Sequence, residues 1–242
     1  SELDEAAFVT SEIQKLTNQK PDIPTSRHPD IPNYRNFAVL YRTNAQSRVI
    51  EEALLHEGIP YILIGGVRFY DRKEIKDIVS YLRLILNPKD SVSRKRIEKL
   101  GKKRFALFES VKEKIKTDNL TTLEILDKTL ENTKYLDLFD PKNEEDLDRL
   151  ENIKELRSVA TEFPLLEEFL EKIALVETTT RHPSNPATGN HEAVTLMTAH
   201  AAKGLEFPVV FVVGLEEGLF PHSRSLMDAE ELEEERRLAY VA

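Results

Sequence analysis

The chain has 242 residues, 40% of them hydrophobic and 32% charged, which suits one large core or two smaller ones. Its formal net charge of −9 argues against a protein that coats nucleic acid through bulk positive charge, though not against one whose phosphate contacts lie in a single groove. The absence of cysteine excludes disulfides and thiolate metal ligands and fits a reducing cytoplasm, and no apolar run approaches the roughly 20 residues needed to span a bilayer.

Residues 1–18 read as an amphipathic helix with Leu3, Ala7, Phe8, Ile13 and Leu16 near one stripe. Residues 21–35 (PDIPTSRHPDIPNYR) hold four prolines and read as a loop. FAVLYR (37–42) is a short strand of buried type. Thr43 can cap a helix over 44–57 that buries Val49, Ala53 and Leu54, and Gly58 can end it. IPYILIG (59–65) follows as a second strand, so this strand–helix–strand unit predicts a parallel sheet.

Asp71 and Glu74 have the spacing of a capping box. They would open a helix in which Ile75, Ile78, Val79, Leu82, Ile85 and Leu86 recur at helical spacing until Asn87-Pro88 stops it. Residues 91–176 carry no strand signal. Helical stripes recur there, as in Leu147, Leu150, Ile153, Leu156, Ala160 and Phe163, and again in LLEEFLEKIALV (165–176). Residues 178–190 (TTTRHPSNPATGN) have the composition of a linker. Strands resume with AVTLMT (193–198) and PVVFVVGL (208–215), and an acidic helix starts near Asp228.

The expected architecture is therefore α/β: a parallel-sheet domain over 1–90, a mostly helical insertion over 91–189, and the rest of the sheet domain over 190–242. Charge is unevenly distributed along it. RKRIEKLGKKR (94–104) holds seven Lys or Arg against one Glu, whereas DAEELEEE (228–235) is almost wholly acidic.

Three segments carry more than fold information: NFAVLYRTNAQSR (36–48), VTLMTAHAAKGLEFPVVFVVGLEEGLFPH (194–222) and EEERRLAYVA (233–242). In this order they resemble motifs IV, V and VI of superfamily 1 helicases. GGVRFYDRKEIKDIVSYLRLILNP (65–88) and DRLENIKELRSVATEF (148–163) are also similar to UvrD/PcrA/Rep-type sequences. The resemblance covers most of the chain and implies a RecA-like domain 2A interrupted by a 2B insertion. It implies part of an ATP-dependent 3′-to-5′ DNA helicase of repair or replication, using ATP with Mg²⁺ and acting on single-stranded DNA and DNA junctions.

The resemblance also assigns roles. Arg42 would reach the γ-phosphate of ATP held by another motor domain, as an always-charged planar guanidinium can. Read from its strand end alone, Arg42 is equally an arginine paired with a neighbouring carboxylate. Tyr41 would stack near the adenine, or else be an ordinary strand aromatic. Glu206 would accept from ribose hydroxyls, with Lys203 and Gly204 in the turn beside it; a solvated loop glutamate is the alternative. Thr198, His200 and His222 would contact the backbone of single-stranded DNA.

The sequence contains no GxxxxGK[ST] phosphate loop; Leu100-Gly101-Lys102-Lys103 lacks the earlier glycine and the hydroxyl. Nor does an acidic pair end any strand. Mg²⁺ ligands are therefore expected elsewhere, no metal site is expected here, and the chain alone is expected not to hydrolyse ATP. Compared with the resembled family, the stretch DSVSRKRIEKLGKKRF also reads as shortened near residue 91. Residues 94–104 would meet duplex DNA or a protein partner. A helicase–nuclease of the RecB or AddA type and a non-catalytic docking module are the competing readings.

Overall fold

Apolar runs rich in β-branched and aromatic residues form four short strands: β1 (Phe37–Tyr41), β2 (Tyr61–Ile64), β3 (Val194–Thr198) and β4 (Val209–Val212). They make one parallel sheet in the order β2-β3-β1-β4. β1, flanked on both sides, is buried at all five positions, as its unbroken apolar run requires. The computed structural model describes residues 1–18, 33–117, 120–179, 193–223 and 225–241. Most of the proline-rich loop and of the expected linker lie outside these residues.

The strand period of two divides the sheet core. Phe37, Val39 and Tyr41 face α1 (Glu2–Asn18) and α2 (Ser47–His56), where Val9, Ile13, Ile50 and Leu54 close the layer. Ala38, Leu40 and Met197 point the other way, against Ala201, Ala202 and Phe207. α2 ends as expected: Gly58 takes φ 67°, a left-handed value that glycine adopts without steric cost, and its N–H bonds the Leu55 carbonyl. The helix begins later than its capping signal, because Asn44–Gln46 form a 3₁₀ turn first.

The chain forms two compact units, Ser1–Arg68 with Thr180–Ala242, and Phe69–Thr179. The second is helical: α3 (Lys73–Leu86), α4 (Ser91–Glu98), α5 (Lys102–Thr117), α6 (Thr122–Thr133), α7 (Glu144–Glu162) and α8 (Leu166–Thr179). Here the structure departs from the boundary expected at 90, since residues 69–90 belong with the helices. The reason is the breadth of the buried surface on α3. Ile75, Ile78, Tyr81, Leu82 and Ile85 are buried, and so are Glu74, Asp77 and Ser80. A helix buried this widely needs neighbours on several sides, and α4 to α8 supply them.

The buried carboxylates of α3 are satisfied inside this unit. Arg72 donates to Asn152 Oδ1 at 2.6 Å, and Asn152 donates to Glu74 Oε1 at 2.6 Å. Asp77 accepts from Arg96 Nε at 2.6 Å and from the Tyr135 hydroxyl at 3.0 Å. The capping box expected from Asp71 and Glu74 is absent. Arg72 occupies the N-cap with no side-chain cap bond, Asp71 pairs with Lys76, and Glu74 is drawn inward to Asn152. A buried amide partner outcompetes a solvent-exposed cap.

Candidate functional site

Parallel strands end together, so the loops after β1, β3 and β4 gather at the carboxyl edge of the sheet, where α/β proteins usually hold ligands. Ladder contacts continue past the strands and fix these loops. Ala199 N–H bonds the Tyr41 carbonyl at 2.8 Å, and Val213 N–H bonds the Leu40 carbonyl at 2.9 Å.

Arg42 is the first residue beyond β1. Its backbone N–H and that of Thr43 both donate to Gln46 Oε1 at 2.9 Å, so one amide holds the turn. Gly214, after β4, lies against the same amide: a Cβ there would collide with the Gln46 side chain. The Gly214 N–H also donates to the Glu5 carboxylate of α1 at 3.0 and 3.1 Å. Gln46 and Glu5 thus brace the β1 and β4 loops.

The Arg42 guanidinium meets Glu235 of α9 (Ala229–Val241). Nε donates to Oε1 at 2.8 Å and to Oε2 at 3.0 Å, and Nη2 lies 2.7 Å from Oε1. The carboxylate alternative left open for Arg42 is therefore realised. Glu235 Oε2 also accepts the backbone N–H of His222 at 3.0 Å. Burial by itself would raise the Glu235 pKa. The hydrogen bonds from Arg42 and His222, with the nearby charges of Arg42 and His200, outweigh it and bring the pKa below the ordinary glutamate value.

One carboxylate therefore brings Arg42, His222 and His200 into one electrostatic neighbourhood. Thr198, paired with Tyr41 across the sheet, shapes the adjoining turn, its Oγ1 accepting from the Ala201 N–H at 3.2 Å. Beyond it, His200, Lys203, Gly204 and Glu206 are exposed. Among the described residues no side-chain hydrogen bond joins Lys203 or Glu206 to the Arg42 cluster. The expectation for Tyr41 needs correction: its ring is 1% exposed in the core with Phe37 and Val39, so it has no open face for a base. Among the described residues no group of three or more His, Asp and Glu is arranged to hold a metal ion.

Sequence reading missed Glu235, Gln46 and Glu5. Glu235 lay inside an acidic run read only as a helix; its only signal was membership of the EEERRL segment. Gln46 lay within the quoted TNAQSR segment without a role.

The basic run is divided by the fold. Arg96 is committed to Asp77, and Arg104 donates to the carbonyls of Lys134 and Leu100. Arg94 pairs with Glu98 and sits over the Phe105 ring. Lys95, Lys99, Lys102 and Lys103 are exposed.

Comparison with known proteins places this geometry in context. The model of the UvrD-like helicase C-terminal domain matches residues 1–140 and 102–242. The ATP-dependent DNA helicase PcrA of Bacillus subtilis (strain 168) is 42% identical over 255 residues, covering 85% of this chain and 34% of that protein. Proteins of the same name from Staphylococcus epidermidis and Staphylococcus aureus are 36% identical over 294 residues, covering 100% of this chain and 38% of theirs. The chain thus spans little more than a third of the length of these curated relatives. An aligned span of 294 residues against 242 also means that these relatives carry residues, within the matched region, that this chain does not.

Proposed function

Because the chain belongs to the UvrD-like helicase C-terminal domain family, we propose that its sheet unit is the second motor domain (2A) of an ATP-driven 3′-to-5′ DNA translocase and its helical unit the 2B insertion. The observation that carries this reading is Arg42: a guanidinium at the carboxyl end of the central strand, partly exposed and held by Glu235 beside the His222 segment. The curated relatives are named ATP-dependent DNA helicases, which supports nucleotide and DNA as the two ligands.

The sequence has no phosphate loop, so the nucleotide's phosphates and Mg²⁺ would be held by a second motor domain, with this chain closing the cleft. Bound ATP supplies the phosphoryl bond to be cleaved. Arg42 places a fixed positive charge where negative charge develops on the transferred group. Glu206, exposed after β3, accepts from the ribose hydroxyls, and the Lys203-Gly204 turn lets that loop approach. Adenine stacking is not assigned to Tyr41, whose ring is closed in the core. On the strand side, Thr198, His200 and His222 make short-range contacts to the backbone of single-stranded DNA. Such contacts carry no base information and can be released at each step. Exposed lysines of 94–104 meet duplex at a junction, in repair or replication.

Arg42→Ala in the full-length protein tests the assignment. Turnover should fall by on the order of 10³–10⁵, as for other arginine fingers, with single-strand affinity much less affected. A fall of less than about threefold overturns it. The purified 242-residue chain should show no DNA-stimulated hydrolysis.

A further inference from the structure

The Arg42–Glu235 contact is more than a generic ion pair, because its two ends belong to different parts of the proposed motor. Arg42 and Glu235 are 193 residues apart in sequence, and their side chains are only 21% and 6% exposed. Glu235 grips one edge of the guanidinium, Nε and Nη2. No contact among the described residues occupies Nη1. The same carboxylate, through Oε2, holds the backbone N–H of His222 in the segment Phe220–His222. One short side chain is therefore hydrogen-bonded at once to the arginine that faces the nucleotide and to the main chain that faces the strand.

Resting on the reading of Arg42 given above, we propose that Glu235 is the positioning residue that couples the two ligand sites. It fixes the Nε–Nη2 edge so that Nη1 remains as the donor end for a phosphoryl oxygen, and it ties that geometry to His222.

Physical reasons favour positioning over simple stability. An arginine side chain has several rotatable bonds, and a forked carboxylate removes that freedom before a ligand arrives. Charge matters as well as shape. An ionised carboxylate accepts on both oxygens, whereas the amide of glutamine has one acceptor and presents N–H groups towards Arg42 and His222. Any movement of Arg42 towards a phosphate pulls on the group that holds His222. The reverse also holds, since coupling between two binding sites is reciprocal.

The test uses the full-length protein with four variants: Glu235→Gln, Glu235→Asp, Arg42→Ala and the double Arg42→Ala/Glu235→Gln. Steady-state hydrolysis is measured with and without oligo-dT, and rates are normalised to folded protein by far-UV circular dichroism melts. Glu235→Gln should lower DNA-stimulated kcat about ten- to hundredfold, the range expected when a catalytic group is misplaced by about 1 Å. KM for ATP should change less than about threefold, and the stimulation by oligo-dT should shrink in the same variant. Glu235→Asp keeps the charge and should recover part of the loss. The double variant should be no slower than Arg42→Ala, because Glu235 acts through Arg42.

Two results overturn the inference while leaving the Arg42 assignment standing. In one, Glu235→Gln stays within about twofold of wild type although Arg42→Ala loses at least a hundredfold. In the other, the two losses multiply in the double variant. If Arg42→Ala itself falls less than about threefold, the nucleotide reading fails, and the coupling role of Glu235 fails with it.

Discussion

In the sheet unit, apart from Arg48 and Glu51 buried on α2, one charge cluster sits at the rim. Glu235 and Arg42 meet where strands end and loops begin; Glu235 also accepts the His222 N–H, and the Arg42 backbone N–H donates to Gln46. In the helical unit the buried carboxylates lie in the first two turns of one helix. Glu74 and Asp77 on α3 are satisfied by Asn152, Arg96 and Tyr135, side chains from α7, from α4 and from the 3₁₀ turn after α6. The first arrangement holds groups in place while leaving part of a guanidinium open, so its loss should appear in rates. The second ties α3 to its neighbouring helices, so its loss should appear in stability. Where a buried carboxylate finds its partner thus separates two kinds of residue that look alike in sequence.

The comparison breaks most readily on core stability. Leu156 is fully buried among the helices of the second unit, so Leu156→Ala should cost about 2–5 kcal/mol there. Hydrogen exchange should show amides of α3, α6 and α7 losing protection while those of β1 and β3 keep it. Equal loss in both regions would show that the two units unfold as one and would break the contrast. Next in size is Asp77→Ala, which strands the Tyr135 hydroxyl and one face of Arg96. A cost of about 1–3 kcal/mol is expected in urea denaturation, with turnover per folded molecule in the full-length protein unchanged. A drop in turnover instead would move α3 into the functional machinery.

Smaller effects sharpen the distinction within each unit. His200→Ala and His222→Ala should each weaken single-strand binding by roughly fivefold, about 1 kcal/mol for one lost hydrogen bond, and equally for oligo-dT and mixed sequence. A loss confined to one sequence would mean that bases are being read. The smallest effect is expected from Lys95, Lys102 and Lys103, which are exposed. Changing them to Gln should leave single-strand affinity intact and lower the salt slope on forked DNA by roughly 0.9 per phosphate contact removed. An unchanged slope would make them solvated helix charge.

Much of this molecule was legible from local pattern. The apolar run FAVLY read as a buried strand, Gly58 as a residue able to end α2, and the strand–helix–strand order predicted a parallel sheet. Arg42 follows directly on β1, so its place at the carboxyl edge came with the strand. The resemblance of 194–222 to motif V likewise set Thr198 at the end of β3 and His200 and Glu206 on the loop after it. All of these are short-range matters, in which dihedral preference and side-chain period act within a few residues.

What the tertiary structure decided is which groups meet. Periodicity says that a face of α3 is buried but not against which neighbour, so residues 69–90 read as a continuation of the sheet domain although they pack with the helices. Tyr41 offered an aromatic at a strand end, yet whether its ring lay open depended on the layer of α1 and α2 beyond it. Glu235 was one carboxylate in an acidic run, indistinguishable from its neighbours until α9 turned it alone towards an arginine 193 residues away. Spacing along a chain encodes the faces of an element. The partner of a buried charge is settled only when desolvation compels each charge to find its counterion wherever the fold has brought one.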